Sequence, residues 1–346
     1  MSLTGNIVTF FSDIVRQYPI RSFFLVISLL VLAYLEVWEP LSPLPAREWN
    51  VTNLKEINVA DPTNFSFAVF GDNQNSKFVF DNLLRLIDHD PGITFAIGLG
   101  NSVSRGNIEK YNYFIEQAED NLGIPLLTTM GDRELKARGP DLYHDVFGPA
   151  YYSFHIGKNF FMVLDDASIE ELDLMQKNGW LEKTLGESQQ YDTRLVFMHM
   201  PLYDPRGTKY NECLPEESSE RLMKLFLKYR VTHIFAAHIH SYLEGRWNGI
   251  PYAVTGGAGA KLRGTDPDHN FFHFLKVTIN EGNVTVQVKP VPCPDYVWMD
   301  QLSYNLSYSY HYLKIHLFEI TSIFIAVGLA TLIYRSDSRK RKERTR

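Results

Sequence analysis

The sequence predicts an α/β fold built from two sheets. Short apolar runs alternate with amphipathic helical segments, and the same alternation returns in the second half without any repeat of sequence. Five of the apolar runs stop at a polar residue with an oxygen or nitrogen to donate to a metal. Because residues at the carboxyl ends of neighbouring strands converge on one crevice, the pattern also predicts a shared site.

The N-terminal part of the chain predicts a membrane segment. Residues 1–19 have apolar residues at helical spacing, which fits either an amphipathic helix on a membrane surface or an ordinary packed helix. Residues 20–38 form an apolar run of the length that spans a bilayer. A signal peptide is the alternative, but no clear cleavage site follows Trp38, so we favour an uncleaved transmembrane helix. Residues 39–64 are a linker that begins with a proline-rich stretch.

Residues 65–293 form the predicted main domain. Strands and helices alternate through its first half and again through its second half, which predicts two sheets packed face to face with helices outside. A last hairpin, around Glu281-Gly282-Asn283, is expected to close the second sheet. The predicted strands are 67–70, 94–97, 126–129, FFMVLDD, RLVFMHM and VTHIFAAHIH, and the predicted helices are 78–89, 108–122, 170–185 and 216–229.

The C-terminal part predicts a second membrane segment. Residues 294–311 are rich in tyrosine and form a juxtamembrane segment, 312–334 a second transmembrane helix, and 335–346 a basic tail. A buried core helix is the alternative for 312–334. The positive-inside rule places the tail, and with two spans the N-terminus, in the cytoplasm, so the domain lies outside it. Four glycosylation sequons, at Asn50, Asn64, Asn283 and Asn305, agree with that location, although such tripeptides also arise by chance.

Composition limits the partners. The formal net charge of −6 argues against nucleic acid, because phosphate binding needs a clustered basic face and the basic cluster here is the tail. The two apolar runs make the lipid bilayer an expected partner. Cys213 and Cys293 lack the spacing of a structural zinc site. They are either two packed thiols or one disulfide, and an oxidising compartment favours the disulfide.

The stretch from Val231 to His240 carries the clearest functional signal. An apolar run ends in two histidines separated by one residue, and alternation along extended backbone points both imidazoles to one side. Neutral imidazole is a good metal ligand near neutral pH. The other apolar runs that end in polar residues supply further candidates, namely Asp72, Asn101, Asp132 and His199.

In order and context these stretches resemble the calcineurin-like metallophosphoesterases from about residue 65 to residue 290. The stretches that carry the resemblance are GDNQ (71–74), GN (100–101), GDRE (131–134), HMP (199–201) and AHIH (237–240). The resemblance implies a four-layer α/β/β/α sandwich, here flanked by two transmembrane helices. It also implies divalent metal ions (Zn, Mn or Fe), one or two per chain. The metal ligands that it implies are Asp72, Gln74, Asn101, Asp132, His199, His238 and His240.

The chain departs from the family pattern at four positions. Gln74 stands where the family has histidine, and Asn101 stands at the carboxylate that bridges two metals. Asp132 stands where the family has asparagine, so the carboxylate count is unchanged. Arg133 replaces a histidine, and guanidinium stabilises phosphate charge but does not readily give up a proton. Of the two metal positions, we therefore expect the one formed by Asp132, His199 and His238 to bind a metal better. Asn101 is a further candidate ligand there.

The sequence thus predicts a membrane-anchored, metal-dependent phosphoesterase with weakened activity. The resemblance implies hydrolysis of a phosphomonoester or phosphodiester, with Asp72, His199 and Arg133 as the candidate catalytic residues. The expected partner at the site is therefore a phosphate-ester substrate, which proximity to the membrane allows to be lipid-linked. A catalytically inactive binding or scaffolding protein of the same fold is the alternative.

Overall fold

The computed structural model describes residues 25–27, 44–137, 139–168, 170, 172–173, 175, 178–207, 209–293, 302–303, 305–306, 308–310, 312–313 and 316–344. The two sheets lie within one compact unit, Leu44–Tyr308. The described helices are α1 (Trp49–Glu56), α2 (Phe78–Asp88), α3 (Ile108–Asn121), α4 (Gly139–Phe147), α5 (Trp180–Glu187), α6 (Glu216–Lys228) and α7 (Leu317–Arg344), with a 3₁₀ turn at Ser188–Gln190.

The first sheet contains the strands of the first half of the domain together with the last hairpin. Its strands are β1 (Asn64–Phe70), β2 (Ile93–Gly98), β3 (Leu126–Thr128), β10 (His273–Asn280) and β11 (Asn283–Pro290), in the order β11-β10-β1-β2-β3. β1 runs parallel to β2 and antiparallel to β10. The prediction that the hairpin closes the second sheet is therefore wrong. The hairpin joins the first sheet because β10 forms a full antiparallel ladder with the open side of β1.

The second sheet holds the remaining strands. They are β4 (Tyr152–Ile156), β5 (Asn159–Val163), β6 (Thr193–Phe197), β7 (His233–Ala236), β8 (Tyr242–Trp247) and β9 (Ile250–Thr255), in the order β4-β5-β6-β7-β9-β8. β5, β6, β7 and β9 are parallel neighbours, while β4 and β8 are antiparallel strands at the two edges. Parallel neighbours bring their carboxyl ends to the same edge of the sheet, which is where the polar residues follow.

Alternation along β1 divides its side chains between two cores. Phe67 and Val69 face the second sheet, whereas Ala68 and Phe70 face α2 and α3. Between the sheets, Phe67 stacks on Phe95 with ring centroids 5.0 Å apart, and both rings are fully buried. Truncating such a ring to alanine costs about 3–5 kcal/mol. A third core lies under α5 and α6 on the outer face of the second sheet, so the molecule has helices outside and two sheets inside, as predicted.

The predicted flanking segments are covered only in part. Residues 1–19, most of 20–38 and 294–301 lie outside the described residues. The predicted second span, 312–334, overlaps α7, which continues to Arg344. Among the residues that the structure describes, no helix has both the length and the apolar content needed to cross a bilayer.

The two cysteines do not form the predicted disulfide. Both belong to the described residues and both are thiols. Cys293 packs against the core beneath α2 and α3, next to the first sheet. Cys213 lies near Asp204 in the loop before α6, and α6 packs on the second sheet. The two cysteines therefore lie on different sides of the sandwich.

One of the four sequons has a structural role. The Asn50 side chain is 1% exposed, and its Oδ1 accepts a hydrogen bond from Thr128 N at 2.8 Å. Its Nδ2 donates to the Thr128 carbonyl at 3.2 Å, so this amide extends the hydrogen bonding of β3. A glycan on Asn50 is incompatible with the folded domain, whereas Asn64 and Asn283 are exposed.

Candidate metal centre

The loops after β1, β2, β3, β6 and β7 bring the predicted residues together. Asn101 Nδ2 lies 2.8 Å from Asp72 Oδ1 and 2.9 Å from Asp132 Oδ1. His199 Nε2 lies 3.3 Å from Asp132 Oδ1 and 3.2 Å from His238 Nδ1. The sequence separations are large, from 29 to 67 residues, so the carboxyl ends of the strands create this cluster.

The backbone at these strand ends is unusual, and glycine makes it feasible. Asp72, Asn101 and His238 have φ of 60°, 53° and 65°, the left-handed region that side chains other than glycine rarely adopt. A Cβ added to Gly131 would lie 2.4 Å from the Asn101 nitrogen. The loops after β2 and β3 therefore approach more closely than a side chain at position 131 would allow. Strained backbone of this kind clusters at functional sites.

Three side chains form a ligand set for one metal ion. Asp132, His199 and His238 each offer one ligand atom, and these atoms all lie within 4.8 Å of one another. His199 Nδ1 lies 2.8 Å from the Leu99 carbonyl and therefore donates its proton there, which leaves Nε2 facing the cluster. One carboxylate and two imidazoles suit Zn, Mn or Fe, so the residues present fit a divalent cation.

Asn101 faces the centre with its nitrogen. Its Oδ1 accepts a hydrogen bond from Arg133 N at 2.8 Å, which fixes the amide so that Nδ2 donates to both Asp72 and Asp132. The residue at the position of the bridging carboxylate is thus a neutral hydrogen-bonding bridge. For Asn101 to act as the predicted ligand, the amide would have to turn by about 180° and leave the Arg133 N–H unpaired.

The second group of predicted ligands is Asp72, Gln74 and His240. His240 Nδ1 lies 2.7 Å from the Lys261 carbonyl, so Nε2 carries the lone pair. Gln74 Nε2 lies 3.2 Å from that atom and donates to it, and Asp72 Oδ1 is 3.6 Å away. Asp72 Oδ2 is buried without a hydrogen-bond partner among the described residues. This group retains one carboxylate and one imidazole, but an amide proton occupies the imidazole lone pair.

Two buried carboxylates hold the loops that carry the ligands. Glu134 accepts hydrogen bonds from Asn101 N and Gly131 N, both at 2.9 Å, and from Val103 N at 3.2 Å. Asp166 accepts from His199 N and Met200 N, both at 2.7 Å. Sequence reasoning missed Asp166. The signal was available, because Asp165-Asp166 ends the apolar run of β5 just as the predicted ligands end theirs.

The charges of the centre are coupled. Burial disfavours the ionised form of Asp132, but hydrogen bonds with His199 and His238 outweigh burial and hold its pKa well below the usual range. Burial also opposes the charged form of His199, yet its hydrogen bond to Asp132 and the charge of Asp72 raise its pKa to about 9. Without a metal, His199 is protonated and pairs with Asp132. An entering cation takes the place of that proton.

Two basic side chains lie beside the cluster of Asp132, His199 and His238. Arg133 Nε and Lys136 Nζ each lie 3.9 Å from Asp132 Oδ2, and the Arg133 side chain is 32% exposed. Guanidinium at this edge is placed to interact with the oxygens of a phosphate group. The catalytic role expected of Arg133 remains a prediction.

Comparisons with known proteins identify relatives. A family model described as calcineurin-like phosphoesterase matches residues 65–242. The serine/threonine-protein phosphatase CPPED1 of Danio rerio is 29% identical over 177 residues, which are 46% of this chain and 55% of that protein. The match thus spans about half the length of this curated relative.

One solved structure supports the fold, and a second is reported beside it. A purple acid phosphatase, PPD1 from yellow lupin, superposes with a TM-score of 0.52 at 18% identity, covering 66% of this chain and 52% of that one. GAP50, described as the anchor in the inner membrane complex of Plasmodium, has a TM-score of 0.47 at 14% identity, covering 71% and 95% of the two chains.

Proposed function

Because the chain belongs to the calcineurin-like phosphoesterase family, we propose that it hydrolyses a phosphomonoester or phosphodiester at one divalent metal ion. The observation that carries the proposal is the cluster of Asp132, His199 and His238, whose ligand atoms lie within 4.8 Å of one another. A bound cation would supply a Lewis acid for the phosphoryl oxygens and a water acidic enough to attack near neutral pH.

The surrounding residues have separate tasks in this proposal. Asp132 provides the negative charge that attracts the cation, while the Leu99 carbonyl and Asp166 fix the orientation of His199. Arg133 stabilises the charge that develops on the phosphoryl oxygens. Proton donation to the leaving group is the step that the chain serves least well, since guanidinium keeps its proton.

We propose that turnover is weak for a specific reason. A second metal would need Asp72, Gln74 and His240, but Gln74 donates a hydrogen bond to the His240 lone pair. Asn101 supplies an N–H group where two cations would share a carboxylate. Two-metal sites stabilise both the attacking and the leaving oxygen. A site with one metal loses part of that stabilisation.

The test combines metal analysis with hydrolysis. We expect about one equivalent of Zn, Mn or Fe per chain and slow hydrolysis of p-nitrophenyl phosphate or bis(p-nitrophenyl) phosphate. His199→Ala and His238→Ala should abolish both. His155→Ala is the matched control, because His155 is an exposed histidine on β4. A protein without metal, or ligand variants that still hydrolyse the esters, would contradict the proposal and favour a binding or scaffolding role.

We also propose that two membrane segments hold the domain outside the cytoplasm. The support is the apolar runs at 20–38 and 312–334 and the basic residues of 335–346. Protease added outside intact cells should cut the domain and spare both termini. If the domain passes through a glycosylating compartment, we expect glycans at Asn64 or Asn283 and none at Asn50, by mass spectrometry. A soluble form that lacks the first 38 residues would contradict the anchor.

A further inference from the structure

A cavity of about 950 Å³ adjoins the His240 side of the centre. Gln74, which donates to His240, lines it, and so does Lys261, whose carbonyl bonds His240 Nδ1. The cavity thus begins where the set of metal ligands is weakest. Its volume is that of a small-molecule site and far exceeds what one inorganic phosphate needs.

The described wall of the cavity is basic. Arg105, Lys110 and Lys261 line it, and the described lining residues include no aspartate or glutamate. Among the described residues, none of these three cations has a carboxylate oxygen within 4.0 Å. In a chain with a formal net charge of −6, this concentration of positive charge is local.

Lys110 is the cation held most firmly. Its Nζ donates to the Ser104 hydroxyl and lies 5.7 Å from the centroid of the Tyr308 ring. Burial lowers the pKa of its ammonium group and the charge of Arg105 lowers it further, while the charge of Glu109 acts in the opposite direction without outweighing them. A half-buried ammonium group beside an exposed guanidinium is stabilised most by a ligand with more than one negative charge.

We propose that this cavity binds a second phosphoryl group of the substrate, so that the substrate class is a phosphate ester bearing two phosphoryl groups. One group lies at the metal centre and the other lies between Arg105 and Lys110. A phosphomonoester carries nearly two negative charges at neutral pH, which matches the two cations better than a carboxylate does. The inference rests on the proposed function only in placing the scissile group at Asp132, His199 and His238.

The test uses probes that cannot be hydrolysed. Titration calorimetry on the full chain compares butane-1,4-bisphosphonate with butylphosphonate, in the presence of zinc. We expect the bisphosphonate to bind at least about tenfold more tightly, a preference that corresponds to about 1.4 kcal/mol. Arg105→Gln and Lys110→Gln should each bring the ratio of the two affinities close to one. Lys224→Gln, an exposed lysine on α6, is the matched control and should leave the ratio unchanged.

Two outcomes overturn the inference: a ratio near one in the unaltered protein, or a ratio that neither substitution changes. Arg105 is exposed, so Arg105→Gln preserves the fold even if Lys110→Gln does not, and thermal melts check both. A different result would contradict the proposed function. A protein that prefers the bisphosphonate but hydrolyses no ester retains the cavity assignment, and a hydrolase with a ratio of one loses it.

The second phosphoryl group has two sources, a soluble ester or a lipid headgroup. Sedimentation with phosphatidylcholine vesicles containing phosphatidylinositol 4-phosphate, or phosphatidylinositol alone, tests the lipid. Stronger binding to the phosphorylated lipid that Lys110→Gln removes assigns the cavity to a headgroup. Preference for the soluble bisphosphonate without that vesicle effect assigns it to a soluble ester. Both assignments require the preference for the bisphosphonate, and a ratio near one overturns the inference whatever the vesicles show.

Discussion

The centre has two halves, the first around Asp132 and the second around Asp72. They have similar ligand positions but differ in the direction of their hydrogen bonds. In the half with Asp132, the imidazoles of His199 and His238 turn nitrogen atoms towards a carboxylate. In the half with Asp72, the His240 lone pair accepts a hydrogen bond from the Gln74 amide. Each half keeps one carboxylate and at least one histidine. The comparison teaches that a substituted motif is best judged by whether a cation can replace the proton at each ligand nitrogen. The proton between His199 and Asp132 is titratable, whereas the proton of the Gln74 amide is not.

The largest expected effect comes from removing an imidazole from the first half. His199→Ala or His238→Ala should reduce the bound metal from about one equivalent to almost none and lower hydrolysis about 10³-fold or more, because the cation supplies most of the charge stabilisation. His240→Ala should lower hydrolysis about tenfold or less and leave the metal in place. Elemental analysis and steady-state rates measure both. Equal losses from the two halves would remove the asymmetry.

The second largest effect is expected from changing Asp166, which holds the loop that carries His199. Asp166→Ala leaves two buried N–H groups, of His199 and Met200, without their acceptor. At about 1–3 kcal/mol for each unsatisfied group, the free energy of unfolding should fall by about 3 kcal/mol. Asp166→Asn keeps one acceptor and should cost about half as much. Urea denaturation measures both variants, and an unchanged midpoint would show that water replaces the carboxylate.

A third prediction compares histidines inside and outside the centre. Within the part of the chain that the structure describes, no carboxylate charge acts on His273 of β10, and burial lowers its pKa to about 4. The unfolded chain takes up this proton near pH 6.5, whereas the folded chain stays neutral until about pH 4. The stability that neutral His273 contributes is therefore complete above pH 6.5 and is lost as the pH falls.

The expected size is about 2 kcal/mol between pH 6.5 and 4.5, from 1.4 kcal/mol per pH unit. His273→Leu should lose that part of the acid sensitivity, as measured by denaturation at the two pH values. Identical pH dependence of the two proteins would show that His273 is protonated in the folded state.

The smallest expected effect is a gain. Gln74→His, Asn101→Asp and Asp132→Asn together restore the family ligands and should raise metal occupancy towards two. Adding Arg133→His should raise turnover on an aryl phosphate about tenfold, within the range of a general acid. Gln74→His alone is the control, since Asn101 still lacks the shared carboxylate. Two metals in the unaltered protein would mean that the substituted residues are a working alternative set.

Much of the centre was predictable, because local pattern decides where a strand ends. Asp72, Asn101, Asp132 and His199 each follow an apolar run, and the parallel pairing of the strands brings them together. The order of the strands in the first sheet was harder to predict from the sequence. Pairing between β1 and β10 is not encoded in the residues near either strand, so the hairpin was assigned to the wrong sheet.

The orientation of amides was not predictable at all. Whether Asn101 offers oxygen or nitrogen depends on the Arg133 backbone N–H, which the loop geometry positions. The role of Asp166 likewise depends on the neighbouring strand β6. Composition and spacing identify which groups reach the centre, but the direction of each hydrogen bond is a property of the assembled loops.

The pairing of β1 with β10 also constrains how the chain folds during synthesis. β1 lies in the middle of the first sheet, and its antiparallel partner ends at Asn280. About 210 residues must leave the ribosome after β1 before the pair can form, which takes about 10–40 s at ordinary elongation rates. For that time the backbone N–H and C=O groups on the edge of β1 that pairs with β10 have no partner from β10. A nascent chain of this protein therefore presents a strand edge that chaperones can bind until the final hairpin emerges.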